Sequence, residues 1–231
     1  PNQHEAAIAL ALRIIDAISQ PFDLNGNRAN LGTSIGIVLA PEHESDPEGL
    51  LKRADLALYD AKANGRNDYR FFRNELLEVA DTQRTAEIEL RDAIERQEFE
   101  LHYQPVVDAK TRTLCGVEAL VRWRHPAKGL IGPDKFVPLA ESTGLIVPLG
   151  EWILRRACAD AASWPVHVKL AINISAIQFK KDDLFEVILS TLVETGFTPG
   201  RLELEITETS LLENQEAHLT TIRQLKNLGI S

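Results

Sequence analysis

The sequence predicts an α/β protein whose later part opens a TIM-like (β/α) barrel, preceded by part of a separate α/β domain. Two observations carry the barrel. From residue 98 onward, short runs with strand alternation take turns with runs spaced as helices, and strand–helix alternation of that kind implies parallel βαβ units. Three of those strands each carry a polar side chain among apolar neighbours, and a (β/α) barrel gathers its site at the carboxyl ends of its strands. A third observation separates the two parts. Residues 74 to 97 contain neither Gly nor Pro and are strewn with charge, from Glu75, Glu78 and Asp81 to Arg91, Glu95 and Arg96. That reads as one long exposed helix between domains, giving a division into 1–73, a helical link over 74–97, and 98–231.

In chain order, residues 5 to 19 place Ile8, Leu12, Ile15 and Ile18 on one side of a helix. Residues 21 to 24 are extended, and Asn25-Gly26 marks a hairpin turn whose partner strand is expected over 29 to 39, with Thr33, Ile35, Ile37 and Val38. Asp46-Pro47 has the form of an N-cap followed by Pro at the first helical position. Leu50, Leu51, Ala54, Leu58 and Ala61 then form an apolar stripe on a helix ending near Gly65. One more short strand is expected over 66 to 72. After the charged helix, strands are expected over 99 to 107, 114 to 123, 166 to 174 and 201 to 207. Helices are expected over 134 to 142, 148 to 162, 184 to 195 and 216 to 228.

Bulk composition narrows the function classes. The chain has 44% hydrophobic and 26% charged residues, the balance of an ordinary globular protein able to bury a core. A net charge of −9 argues against a surface for nucleic-acid polymer or anionic membrane. It leaves room for a small phosphate ligand held by a few local cations. Cys115 and Cys158 are isolated, which suggests neither zinc site nor disulfide framework and fits a cytoplasmic protein. No apolar run approaches a membrane span. The sequence has no Met, starts on the approach to a helix and stops on the way into a strand. It is therefore expected to be an internal piece of a longer protein, which can itself carry a membrane anchor elsewhere.

The stretch Gly116-Val117-Glu118-Ala119-Leu120-Val121-Arg122-Trp123-Arg124-His125-Pro126 reads as a buried strand with an acid and cations among its apolar residues. Glu118 and Arg122 are four residues apart and share a face. A carboxylate there is costly unless a cation, a metal or hydrogen-bond donors compensate it. A buried Glu118–Arg122 ion pair is one solution. Asn173, at the end of the strand Lys169-Leu170-Ala171-Ile172-Asn173-Ile174-Ser175, and Glu205, near the end of the strand beginning Leu202-Glu203-Leu204, offer another. In a barrel they would converge with Glu118, and two carboxylates with an amide carbonyl are hard oxygen ligands suited to Mg²⁺ or Mn²⁺. Taken singly, Asn173 can instead satisfy a loop backbone, and Glu205 can pair with Lys169 or Arg201.

Several stretches resemble the EAL domains, the cyclic-di-GMP phosphodiesterases of bacterial signalling. They are Tyr103-Gln104-Pro105, Glu118-Ala119-Leu120-Val121-Arg122-Trp123, Phe136-Val137-Pro138-Leu139-Ala140-Glu141, Gly144-Leu145-Ile146, Asn173-Ile174-Ser175 and Glu205-Ile206-Thr207-Glu208. Thr33-Ser34-Ile35-Gly36 and the stretch from Arg53 through Lys62-Ala63-Asn64-Gly65-Arg66-Asn67 resemble the C-terminal part of a GGDEF, or diguanylate cyclase, domain. The resemblance implies an EAL-type barrel and hydrolysis of cyclic-di-GMP to linear pGpG. It implies two divalent cations (Mg²⁺ or Mn²⁺) on Glu118, Asn173 and Glu205, with Gln104 and Arg122 on the substrate's phosphates. It also implies GTP contacts from Lys62 and Arg66, and a homodimer in the complete protein. The family's Asp-Asp-Phe-Gly segment, its later Lys and its general-base Glu would follow Ser231, and the GGDEF hairpin would precede Pro1. The 231 residues alone are therefore expected to leave cyclic-di-GMP intact. Two other readings stand beside the enzyme: an EAL receptor that binds cyclic-di-GMP without cleaving it, and a first part that acts as a cyclase or GTP-binding regulator.

Overall fold

The computed structural model describes residues 2–24, 27–181, 183–206 and 215–231. The Asn25-Gly26 turn and the Thr207-Glu208 end of the last EAL-like motif lie outside them. The chain forms two compact units, Pro1–Ala86 and Glu87–Ser231. Among the described residues no helix is long and apolar enough to cross a membrane, and both cysteines are free.

The first unit begins with helix α1 (Gln3–Ser19), fixed at its start by a capping box in which Asn2 and Glu5 each accept from the other's backbone N–H. Strands β1 (Phe22–Leu24) and β2 (Asn27–Ala29) pair antiparallel. Strand β3 (Ile35–Ile37) does not continue β2 but pairs in parallel with β4 (Tyr69–Phe71). The single strand expected over 29 to 39 is thus two strands with a break between them. The reason lies in the contacts of the intervening segment with Asn67: Thr33 N–H donates to the Asn67 side-chain Oδ1, and the Ser34 hydroxyl accepts from Asn67 N–H. Helix α2 (Pro47–Ala63) crosses from β3 to β4, with Asp46 capping Gly49 N–H and Pro47 in the first turn, as the sequence predicts. Its buried face is narrower than the predicted stripe, because Ala57 and Ala61 are fully buried while Leu51 is 66% exposed.

Close approach explains the small residues. A Cβ added at Gly36 would lie 2.1 Å from the Ala54 carbonyl oxygen and 2.4 Å from the Leu58 nitrogen, so β3 can lie this near α2 only without a side chain there.

Helix α3 (Glu75–Glu95) follows, and the division between the units falls within it. In the second unit, β5 (Phe99–Val107) and β6 (Leu114–His125) form an antiparallel pair. A short β7 (Gly129–Ile131), which the sequence pattern does not announce, turns back along β6. Helices α4 (Pro133–Thr143) and α5 (Ile146–Ala161) lead to β8 (Lys169–Ile174). That strand starts later than expected because residues 165 to 168 close a turn, with Val168 N–H donating to the Pro165 carbonyl. Next come the one-turn helix α6 (Ala176–Phe179), helix α7 (Leu184–Thr195), strand β9 (Leu202–Ile206) and helix α8 (Gln215–Asn227). Strand order is β5-β6-β8-β9, with β6, β8 and β9 parallel. Ser231 joins the free side of β9 by hydrogen bonds with Leu202 and Leu204. The parallel βαβ pattern is that of the predicted barrel, entered through an antiparallel hairpin.

One face of this sheet makes the core. Val117, Ala119, Val121 and Trp123 of β6, and Leu170, Ile172 and Ile174 of β8, pack against Phe136 of α4, Leu149, Ile153 and Leu154 of α5, and Ile188 of α7. Arg201 is also buried. Its guanidinium donates to the carbonyls of Val168 and Ala161 and lies 4.8 Å from the centre of the Phe197 ring.

Replacing Gly36 by Ala should destabilise the first unit by roughly 1–3 kcal/mol through overpacking. Gly32→Ala should cost less, since its new methyl would meet Asn67 Oδ1 at 3.3 Å. Chemical denaturation of both variants measures the difference, and equal stabilities would refute the close-packing account.

Candidate active site

Alternation decides what the other face of the sheet carries. Since Val117, Ala119 and Val121 point into the helical layer, Glu118, Leu120 and Arg122 point away from it. Register extends the row across the strands. Gln104 of β5 lies opposite Glu118, Glu118 opposite Ala171 of β8, and Asn173 opposite Glu205 of β9. Four of the five residues assigned to the barrel site thus occupy neighbouring positions on one face.

Contacts sharpen the arrangement. Asn173 Nδ2 donates to Glu118 Oε1 at 2.7 Å, which leaves the Asn173 carbonyl oxygen free of that bond. Glu205 has its carboxyl pushed above the usual range, first by burial, then by the negative charges of Glu118 and Glu203. A carboxylate whose ionisation is opposed by neighbouring negative charge is stabilised by a cation, which makes this an electrostatic site for one. The donor set fits Mg²⁺ or Mn²⁺ in kind, two carboxylates and an amide oxygen from adjacent strands. The third ligand of this set is an amide rather than another acid, and among the described residues no group of three His, Cys, Asp or Glu side chains is placed to hold a metal. The ordinary alternatives are not taken. Lys169 Nζ lies 3.8 Å from Glu203, and Arg201 turns to backbone carbonyls. Arg122 Nη1 donates to the Val121 carbonyl at 2.8 Å, one strand face with Glu118 but roughly 13 Å further along the strand.

Beside Asn173 and Glu205 opens a cavity of about 610 Å³, the size of a small-molecule site. Helix α4 supplies one wall through Asp134, Val137, Pro138 and Glu141, the i, i+3, i+4, i+7 face of the helix. Phe136 and Ala140, on its other side, are buried in the core. Leu120 and Val121 of β6, Ile146, Gly150 and Ile153 from α5, and Ser175 and Gln178 after β8 complete most of the rest. The sequence pattern marks none of Asp134, Glu141, Ser175 and Gln178 as an individual site residue. Asp134 and Glu141 do carry a signal in the sequence, as acids seven residues apart on one helical face. Gln178 gives no such signal, because its 6% exposure depends on the packing of α5.

Lys62, in the last turn of α2, and Arg66, with a positive φ of 57°, belong to the first unit. A cavity of about 450 Å³ in that unit is lined by Asp60, Asn64, Asp68, Arg70 and Arg73 together with Tyr69 and Phe71, and by neither Lys62 nor Arg66.

Glu205 should take up its proton at higher pH than an ordinary glutamate when divalent cations are removed. Its ionisation costs folded stability, so this contribution is favourable in acid and is lost as pH rises through the raised value. Glu118→Gln should lower the midpoint part of the way, since burial remains. Carboxyl-carbon NMR titration reads both, and an ordinary midpoint in the unsubstituted chain would contradict this electrostatic picture.

Comparison with known proteins gives the arrangement a family. Residues 87–231 match the EAL domain and residues 1–68 the diguanylate cyclase, GGDEF domain. The bifunctional diguanylate cyclase/cyclic di-GMP phosphodiesterase MucR of Pseudomonas aeruginosa is 39% identical over 97% of this chain and 33% of its own length. The cyclic di-GMP phosphodiesterase PdeR of Escherichia coli K12 is 36% identical over 99% of this chain and 35% of its own length. The chain thus spans about a third of the curated relatives it matches. Among solved structures, the PaMucR phosphodiesterase in complex with c-di-GMP aligns with a TM-score of 0.61 and 40% identity, covering 64% of this chain and 61% of that one. With more than half of its length matched by the one model and its opening residues by the other, the chain belongs to the EAL domain family, in the tandem GGDEF–EAL order.

Proposed function

We propose that the protein is a cyclic-di-GMP phosphodiesterase that hydrolyses one phosphodiester of the cyclic dinucleotide to give linear pGpG. The observation that carries this reading is the meeting of Glu118, Asn173 and Glu205 on adjacent parallel strands, beside a cavity large enough for a nucleotide base. The names of MucR and PdeR, and the c-di-GMP in the PaMucR complex, support the substrate.

In this reading Glu118 and Glu205, with the amide oxygen of Asn173, hold divalent cations (Mg²⁺ or Mn²⁺). Bound there, such cations supply an activated water and charge stabilisation for phosphodiester cleavage. The chain's own residues do the rest. Asn173 donates to Glu118 and so turns one carboxylate oxygen away from free rotation. Arg122 offers a planar fork to phosphate oxygens, for which its side chain must leave the Val121 carbonyl. Gln104, opposite Glu118, offers an amide N–H to the same phosphates. The apolar lining of Val137, Pro138 and Ile146 suits the face of a base, and Asp134 can accept from the N–H groups on a guanine edge. The residue division 1–73, 74–97 and 98–231 belongs to the same reading, with GTP held near Lys62 and Arg66, a homodimeric assembly and a cytoplasmic site of action.

In the complete protein, Glu118→Ala should lower Mg²⁺- or Mn²⁺-dependent release of pGpG at least 100-fold, a loss of roughly 3 kcal/mol in transition-state stabilisation. Chromatography of the products measures it. Unchanged turnover would remove Glu118 from the metal site. Tight cyclic-di-GMP binding with no turnover in the unsubstituted protein would establish the receptor instead.

A further inference from the structure

Asn173 stands one residue before the end of the parallel ladder, where β8 gives way to a helix of one turn. A strand end of this kind is free to swing unless something outside it holds the backbone. Here the holding is done by Ser175, Glu141 and Gln178. The Ser175 hydroxyl donates to Glu141 Oε1 of α4 at 2.7 Å and accepts from Ile177 N–H at 3.3 Å. The Ser175 N–H donates to Gln178 Oε1 at 3.0 Å. Every polar group of Ser175 on the cavity side is thereby used, and its bond to Glu141 reaches across 34 residues of sequence.

Two features show that this is more than a helix cap. Helix α6 has four residues, too few to hold itself by its own hydrogen bonds. Gln178 also has nowhere to go: a Cβ on Gly150 of α5 would sit 2.0 Å from its side-chain nitrogen. The amide is therefore seated in the notch that Gly150 leaves. Glu141 fits the same account. A carboxylate in a largely apolar cavity is costly without a partner, and Ser175 provides one through a charge-assisted bond.

We propose that Glu141 and Ser175 are positioning residues that lock the end of β8 to α4 and α5, and so fix the Asn173 amide against Glu118. This rests on the assignment of Asn173 to the cation site only for its effect on cations; the geometric lock stands without it. Loss of the lock would leave the core of β8 intact, because Leu170, Ile172 and Ile174 face the helices. It would loosen the Asn173 side chain, which faces the other way.

The test compares Ser175→Ala and Glu141→Ala with Ser175→Thr and Glu141→Gln, which keep a hydroxyl and an acceptor oxygen respectively. The first readout, on the full chain without metal, is the Asn173 side-chain NH₂ signal in ¹⁵N NMR. Both Ala variants should shift it and speed its hydrogen exchange, while Ser175→Thr and Glu141→Gln stay near the unsubstituted chain. The second readout is Mn²⁺ affinity by electron paramagnetic resonance, expected to fall about 10-fold in the Ala variants, the scale typical of residues that orient a metal ligand. An unmoved Asn173 signal in both Ala variants overturns the proposal, as does a conservative variant that behaves like Ala. If the unsubstituted chain binds no Mn²⁺, the cation site fails, and the Asn173 signal still decides the lock. Thermal unfolding of each variant separates misfolding from a local effect, and a shift confined to unfolded variants counts against the proposal.

Discussion

Three adjacent strands that bury one face under helices must turn every second residue the other way. This pleat is the constraint on which the second unit depends. Leu170, Ile172 and Ile174 are held in the core by burial, and their spacing compels Asn173 to the opposite face. The same holds for Glu118 between Val117 and Ala119. Register then converts three independent alternations into one row, since a slip of a single residue in β8 would bury Asn173 and expose Ile172. The apolar core thus determines where the polar groups stand, before any of them interacts with another.

Upon that frame the polar groups make a second, weaker order. Asn173 donates to Glu118, Glu205 senses Glu118 through charge, and Ser175 reaches Glu141. None of these contacts could hold the sheet together. A hydrogen bond of this sort contributes about 1 kcal/mol net, whereas burial of one Leu or Ile side chain contributes about 1.5–3 kcal/mol. The division of labour is clear: packing specifies the fold, and the polar row specifies which chemistry the fold can support.

Much of this could be read from residues alone. The strands around Glu118, Asn173 and Glu205 announce themselves by alternation, and α2 by Asp46-Pro47, whose cap chemistry is local. The misreadings are equally physical. Residues 29 to 39 are rich in β-branched side chains, but their ladder partners are decided by distant Asn67, which takes the backbone of Thr33. Leu51 fits a helical stripe yet faces outward, because the buried seam of α2 is set by the close approach at Gly36. The role of Gln178 depends on an empty place left by Gly150, and no periodicity records an absence of atoms. Of the cavity, only the α4 face carried a pattern that a sequence can show.

Arg201 has a consequence of its own. Its charge is satisfied by two peptide carbonyls and an aromatic ring, none of which gains or loses a proton in water. A guanidinium likewise keeps its proton throughout the accessible range. The joint between the end of α5, the start of β8 and the approach to β9 is therefore indifferent to acidity, and its burial shields it from dissolved salt. Glu205, on the far side of the same sheet, answers to both, since burial and neighbouring negative charge hold its carboxyl above the usual range. One sheet thus couples a scaffold blind to the ionic medium with a face that registers it.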